Sequence, residues 1–168
     1  MVTNKKSVVA SEQGNERIRA LRKTWVEETI PTLSGLDLVF VDEAGANLGM
    51  TPTRGWAPTH QRAHDATPLN TGANLTMVSA MSVRGSFAAR VRQGAMNGAR
   101  FVRWIRTVLA PRLWEGAVVV LDNLGAHKVA GVHEAIEAVG ARVLYLPLYS
   151  PDFNAIERMW SKVKESLR

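Results

Sequence analysis

Apolar positions along the chain fall into runs of two kinds, and their alternation predicts the elements. Ser11–Ile30 has Ile18, Leu21, Trp25 and Val26 at helical spacing, with Arg17, Arg19, Arg22 and Lys23 on the remaining surface, and Pro31 and Gly35 end it. A lone helix cannot bury that stripe, so it is expected to pack on the following domain or on a second subunit. Leu36–Val41 is a continuous apolar run closing on Asp42-Glu43, read as a central strand that delivers an acid at its end. The residues through Thr71 are rich in Thr, Pro, Gly and His without a period, and are expected to form an ordered loop or loose hairpin anchored by Trp56. Asn74–Val83 and Ser86–Arg92 predict a hairpin turning at Arg84-Gly85, with Phe87, Ala89 and Val91 inward and Ala88, Arg90 and Arg92 outward.

Asn97–Leu113 is the clearest helix: Phe101, Trp104, Ile105, Val108 and Leu109 share one face, and Arg100, Arg103 and Arg106 another. Gly116 restarts the chain into the strand Ala117–Leu121, which ends at Asp122-Asn123. A helix from Val129 to Val139, a strand Arg142–Leu146 and a helix from Asn154 onward complete a mixed α/β plan with helical crossovers between parallel strands. Pro147 and Pro151 stop the last strand, and Asp152 or Asn154 is expected to cap the last helix. Trp104, Trp114 and Trp160 are expected in the core, and His60, His64 and His133 on the surface.

With 168 residues and 46% hydrophobic content, the chain is sized for one buried core. A net charge of +6 and a pI near 10.2 favour an anionic partner, nucleic acid first. There are no cysteines, which excludes disulfides and thiolate zinc sites. Met1–Ala10 is polar and basic, unlike a secretory signal, and runs such as Ala117–Leu121 are too short to span a bilayer. A cytoplasmic, nucleoid-associated protein is expected.

Asp42 and Asp122 each follow a continuous apolar run, and Glu157 lies in the first turns of the last helix. If the two strands lie parallel and adjacent, both aspartates emerge at the edge where ligands of open α/β sheets gather. Two carboxylates about 4 Å apart repel by roughly 4 kcal/mol at an effective dielectric near 20, so such a cluster protonates or binds a cation. Oxygen-only ligands suit a hard ion, Mg²⁺ or Mn²⁺, and two such ions suit in-line phosphoryl displacement. Each acid on its own also reads as a turn former or helix cap. Glu43 points to the opposite side of its strand from Asp42 and ranks below it, and Asp152 is a rival third ligand better suited to capping.

Val41-Asp42-Glu43, Leu121-Asp122-Asn123 with Ala126-His127-Lys128, and the run Leu146-Pro-Leu-Tyr-Ser-Pro-Asp-Phe-Asn-Ala-Ile-Glu157 resemble the DDE transposases of the mariner superfamily, in its bacterial insertion-sequence branch. The 34 residues between Asp122 and Glu157, the Arg54-Gly55-Trp56-Ala57-Pro58 stretch and the Glu12-Gln13 helix fit the same pattern. Ala155 stands where that family usually has Pro, and Thr59-His60 where a basic residue and Gly are frequent. The resemblance implies an RNase H-like fold, a five-stranded mixed sheet flanked by helices, with Asp42 on the first strand and Asp122 on the fourth. It implies cleavage of DNA at transposon ends and joining of the freed 3′-hydroxyl to target DNA, commonly at TA. Asp42, Asp122 and Glu157 would hold two Mg²⁺ ions (Mn²⁺ as a substitute), with Asn123, His127 and Asn154 supporting them. Lys128, Lys162, Lys164, Arg103 and Trp56 are the candidate DNA contacts. The expected partners are double-stranded DNA, a second copy in a homodimer and a separate helix-turn-helix protein. Residues 1–33 are expected to be a helical linker and 34–168 the catalytic domain, its C-terminal end truncated. The alternatives are a silent remnant that binds DNA or a transposase, and a nuclease of the same fold that cuts without joining.

Overall fold

A computed structural model describes residues 11–47, 49–51, 55–66, 68 and 70–168; Met1–Ala10 and Arg54 lie outside the described residues. The centre is a five-stranded sheet in the order β3-β2-β1-β4-β5. Its strands are β1 (Leu38–Ala46), β2 (Leu75–Ser82), β3 (Gly85–Gln93), β4 (Val118–Leu121) and β5 (Arg142–Tyr145). β1 pairs antiparallel with β2 and parallel with β4, and β4 pairs parallel with β5. The strands β4 and β5 are short, nearly all-apolar runs because helices cover both faces.

On one face lie α2 (Gly98–Trp104) and α3 (Val132–Glu137), which bury Phe101, Ile105, Leu109, Val132 and Ile136 against Val39, Val41, Val78, Val119 and Leu121. Asn97 caps α2 by accepting a hydrogen bond from the Arg100 amide, and the helix runs on through a wide turn, Ile105–Leu109, to a tight one at Ala110–Arg112. Pro111, which has no N–H to continue the ladder, ends it there. On the other face lie α1 (Glu16–Thr24) and α4 (Ile156–Ser166). Trp25 packs with Val120 and Leu146, and Ile156 and Trp160 pack with Ala44 and Met77.

The first helix therefore docks on the sheet, but its stripe is only partly used: Ile18 and Trp25 are buried, whereas Leu21 and Val26 are exposed. Arg22, expected on the solvent face, is instead drawn into an ion pair with Asp152. Trp56 does not anchor its loop; it is fully exposed. The first strand does not stop at Asp42-Glu43 but continues to Ala46, because β2 supplies partners for it beyond the reach of β4.

The hairpin forms, with Gly85 at φ 109°, but its predicted facing fails after Phe87. Ala88 adopts φ 57° and the register shifts between Val78 and Ala80, a β-bulge that sets two residues against one. The Trp104 indole donates to the Ala88 carbonyl at 3.0 Å, and Ser79 Oγ donates to the Phe87 carbonyl at 3.1 Å, which holds the kink. Ala88 is thus buried, Val91 is 63% exposed, and Arg90 stands opposite Val78 on the α2 side. Neither Asp152 nor Asn154 caps α4 through its side chain; Ala155 occupies that position with no side-chain bond.

Candidate active site

The register explains why two distant aspartates meet. Phe40 pairs with Val120 in the parallel β1–β4 ladder, and two residues further along each chain stand Asp42 and Asp122. Pairing with β4 stops there, which opens the sheet edge between them. Strand alternation sends Asp42 to the α4 side and Glu43 to the α2 side, opposite Ser79 and Val78 respectively. β5 then leads through Leu146–Ser150 and a tight turn at Pro151–Phe153 into α4, whose first turn carries Glu157.

Asp42, Asp122 and Glu157 line one cleft of about 360 Å³, together with Asn123, Leu124, the Leu146–Pro151 segment and Asn154. Asp42 is only 8% exposed, Asp122 half-buried and Glu157 exposed. Burial pushes the Asp42 carboxyl up to about 7; the Glu43 backbone opposes the shift, and the charges of Glu157, Asp122 and Glu43 add to it. Asp42 thus feels the charge of both other acids across the cleft. Among the described residues, however, no three His, Cys, Asp or Glu side chains stand close enough to ligate one ion as they are.

Two asparagines knit the walls. Asn123 Nδ2 donates to the Leu146 carbonyl at 3.1 Å, and Asn154 Nδ2 donates to the Val41 carbonyl at 3.4 Å, tying the α4 approach to the strand beside Asp42. The Oδ1 atoms of both are buried without a hydrogen-bond donor among the described residues. A lining whose charged groups are all carboxylates suits a hard divalent cation such as Mg²⁺ or Mn²⁺.

His127, fully buried behind Asp122, bridges two acids. Its Nε2 lies 3.1 Å from Glu43 Oε2, and its Nδ1 lies 2.5 Å from Asp122 Oδ1. Burial would lower the imidazole pKa, but Asp122 and Glu43 override it and hold the ring protonated up to about 9. Phe101 packs against the ring at 4.2 Å between centroids, and Tyr145 Oη donates to the His127 carbonyl at 2.9 Å.

Asp42, Asp122, Glu157, Asn123 and Asn154 thus share the cleft, and His127 sits behind it. The proposed DNA contacts do not line it. Lys128 is exposed with its ammonium 5.8 Å from the Tyr145 ring, Lys162 is exposed on α4 and Lys164 is half-buried there. Arg103 lines a separate groove of about 370 Å³ with Arg90, Arg92 and Arg100 over Trp104 and Val108. The sequence pattern does not mark Glu43 or Arg22 as site residues, yet both act at the site. Glu43 meets His127 across 84 positions and Arg22 meets Asp152 across 130, separations that no local pattern reveals.

A model of the DDE superfamily endonucleases matches residues 37–168. The chain belongs to that family. Its fold is the RNase H-like fold of Mos1 transposase. The Mos1 strand transfer complex superposes with a TM-score of 0.80 at 20% identity, covering 99% of this chain and 53% of that one. The Mos1 mariner paired-end complex with Mn gives 0.81 at 19%, covering 99% and 53%. The catalytic domain of Mos1 mariner transposase gives 0.61 at 14%, covering 96% and 74%. This DDE chain spans about half the length of the full Mos1 structures it matches. No curated protein matches it in sequence. Among the described residues, no helix is long and apolar enough to cross a membrane.

Proposed function

We propose that this DDE endonuclease chain is a transposase catalytic domain that cleaves DNA at transposon ends and joins the freed 3′-hydroxyl to target DNA. The observation that carries this reading is that Asp42, Asp122 and Glu157, from three separate elements, line one cleft in a chain of that family. These three would hold two Mg²⁺ ions, with Mn²⁺ as a substitute. Bound there, a divalent ion supplies a Lewis acid for the scissile phosphate and for the attacking oxygen. The protein's own work is positional. Asp42 is fixed by the β1 ladder, and Asp122 is steadied by the Leu124 amide at 3.1 Å and by the protonated His127 behind it. Asn123 and Asn154 brace the walls of the cleft through their bonds to the Leu146 and Val41 carbonyls.

Residues 1–33 act as the linker and 34–168 as the catalytic domain, working as a homodimer on double-stranded DNA in the cytoplasm, with a helix-turn-helix protein to read the ends. Half-buried Lys164 adds its charge beside Lys162 on α4, and Lys128, Lys162 and Trp56 project from the surface to meet the duplex. Arg103 does so from the arginine groove, where Arg90, Arg92 and Arg100 have no carboxylate within ion-pair distance among the described residues. Incubation with Mg²⁺ and pre-nicked transposon-end DNA is expected to give strand-transfer products. Asp122→Asn is expected to reduce them about a thousandfold or more, a loss of several kcal/mol of transition-state stabilisation. Full activity in that variant would reject the acid assignment, and cutting without joining would reassign the chain as a nuclease.

A further inference from the structure

The segment that brings Glu157 to the cleft is held from outside by the N-terminal helix. Arg22 grips Asp152 with both arms of its guanidinium, Nη1 to Oδ1 at 2.9 Å and Nη2 to Oδ2 at 2.7 Å. Its Nη1 also donates to Ser150 Oγ at 2.7 Å, and the guanidinium lies over the Phe153 ring at 4.3 Å. Gln13 Nε2 donates to the Tyr149 carbonyl at 2.6 Å. The segment held in this way is under local strain, because Tyr149 takes φ 56°, a region that bulky residues rarely occupy.

An ion pair with a half-exposed carboxylate contributes little to global stability. Its value lies in geometry, since a two-pronged Arg–carboxylate pair fixes orientation as well as distance. Between Asp152 and Glu157 there is no slack. The Phe153 amide bonds the Ser150 carbonyl at 3.1 Å, Asn154 bonds Pro151 at 2.9 Å, and Glu157 bonds Asn154 at 3.2 Å. α4 has no side-chain cap to fix its own start. Phe153 and Ile156 pack the segment into the core, and among the described residues its side-chain hydrogen bonds run to β1 from Asn154 on the cleft side and from Gln13 and Arg22 on the outer side.

The geometry points to Arg22 as a positioning residue: through its fork on Asp152 and Ser150 it sets where Glu157 enters the cleft. This rests on the reading of the cleft as a metal-dependent DNA-cleaving site, and its test has one arm that does not. In the full chain without metal, Arg22→Ala and Asp152→Asn are each expected to speed amide hydrogen exchange at 149–157 about tenfold, the worth of a charge-assisted hydrogen bond, while β1 and β4 amides keep their rates. In cleavage assays the same variants are expected to raise the half-saturating Mg²⁺ concentration. They should also lower kcat about 10- to 100-fold, as small misplacements of catalytic groups do, with KM for DNA little changed. The exchanged pair Arg22→Asp with Asp152→Arg should recover part of both losses, and Arg22→Lys, which keeps the charge but not the fork, should fall between.

Unchanged exchange at 149–157 in both single variants would overturn the inference. So would an active enzyme whose kcat and Mg²⁺ requirement ignore them, or whose loss lies in KM for DNA, which would make Arg22 a DNA contact. A wild-type chain without metal-dependent cleavage would refute the proposed function instead, and the exchange arm would still decide the anchoring.

Discussion

Asp42 concentrates the electrostatic problem of this site in one side chain. It is almost fully buried, faces Asp122 and Glu157, and its carboxyl is held up to about 7 from an ordinary 3.8. A folded-state pKa above the unfolded one means the native state binds the extra proton. The resulting stabilisation is therefore complete below about pH 3.8 and is lost as pH rises through about 7. That displacement corresponds to about 4 kcal/mol between the two limits. His127 carries the same sign: its contribution is present below 6.5 and fades as pH rises through about 9. Metal-free protein should thus lose melting temperature between pH 5 and pH 8. Added Mg²⁺ or Mn²⁺ should raise it more at pH 8 than at pH 5, because only the ionised carboxylate ligates. Asp42→Asn should flatten both trends. Scanning calorimetry at the two pH values, with and without ion, checks this, and a metal shift as large at pH 5 as at pH 8 would contradict it.

At the scale of elements, what the sequence reveals depends on whether a pattern is local. The apolar runs ending at Asp42 and Asp122 and the face of Phe101, Trp104, Ile105, Val108 and Leu109 are local; the strands and the buried face form there, except that Leu36 stays outside β1, 70% exposed. The sheet edge joining the acids follows from them once two strands lie parallel. The bulge at Ala88 is not local. It requires the Trp104 indole, sixteen positions away, to hold the Ala88 carbonyl. A period-2 reading carries Val91 inward, whereas the extra residue turns Arg90 and Arg92 toward the α2 groove instead. The same limit hid the extension of β1 to Ala46, since Asp, Glu and Gly interrupt its apolar run and only pairing with β2 continues it. Trp104→Phe tests this dependence. It preserves most of the buried ring but leaves the Ala88 carbonyl unpaired, which should destabilise the fold by about 1–3 kcal/mol. Denaturant unfolding measures the loss, and exchange at residues 86–90 should rise ahead of the rest of the sheet. Uniform loss across the sheet would mean that Trp104 acts through packing alone.

Over the whole molecule, charge is segregated by role. The net balance is +6, yet the cleft is walled by three acids, and the basic groups stand away from it. That separation suits a polyanion whose backbone is held at a distance while one phosphate enters an acidic, ion-requiring pocket. The arginine groove exists because the bulge places Arg90 and Arg92 on the side where α2 presents Arg100 and Arg103. Arg100 and Arg90 are each steadied by a backbone carbonyl, Ala95 and Ala89, at 2.8 Å, so these two guanidiniums are held in place. If the groove grips duplex backbone, each phosphate contact contributes about 0.9 to the slope of log binding constant against log salt. Arg103→Ala should then lower that slope by about 0.9 and weaken binding to unrelated duplexes to the same degree, since phosphates carry no sequence. The doubly substituted Arg92→Ala, Arg103→Ala chain should lose about twice as much. Fluorescence anisotropy across a salt series measures it. An unchanged slope would remove the groove from the DNA path and leave Lys128, Lys162 and Lys164 as the contacts to test next.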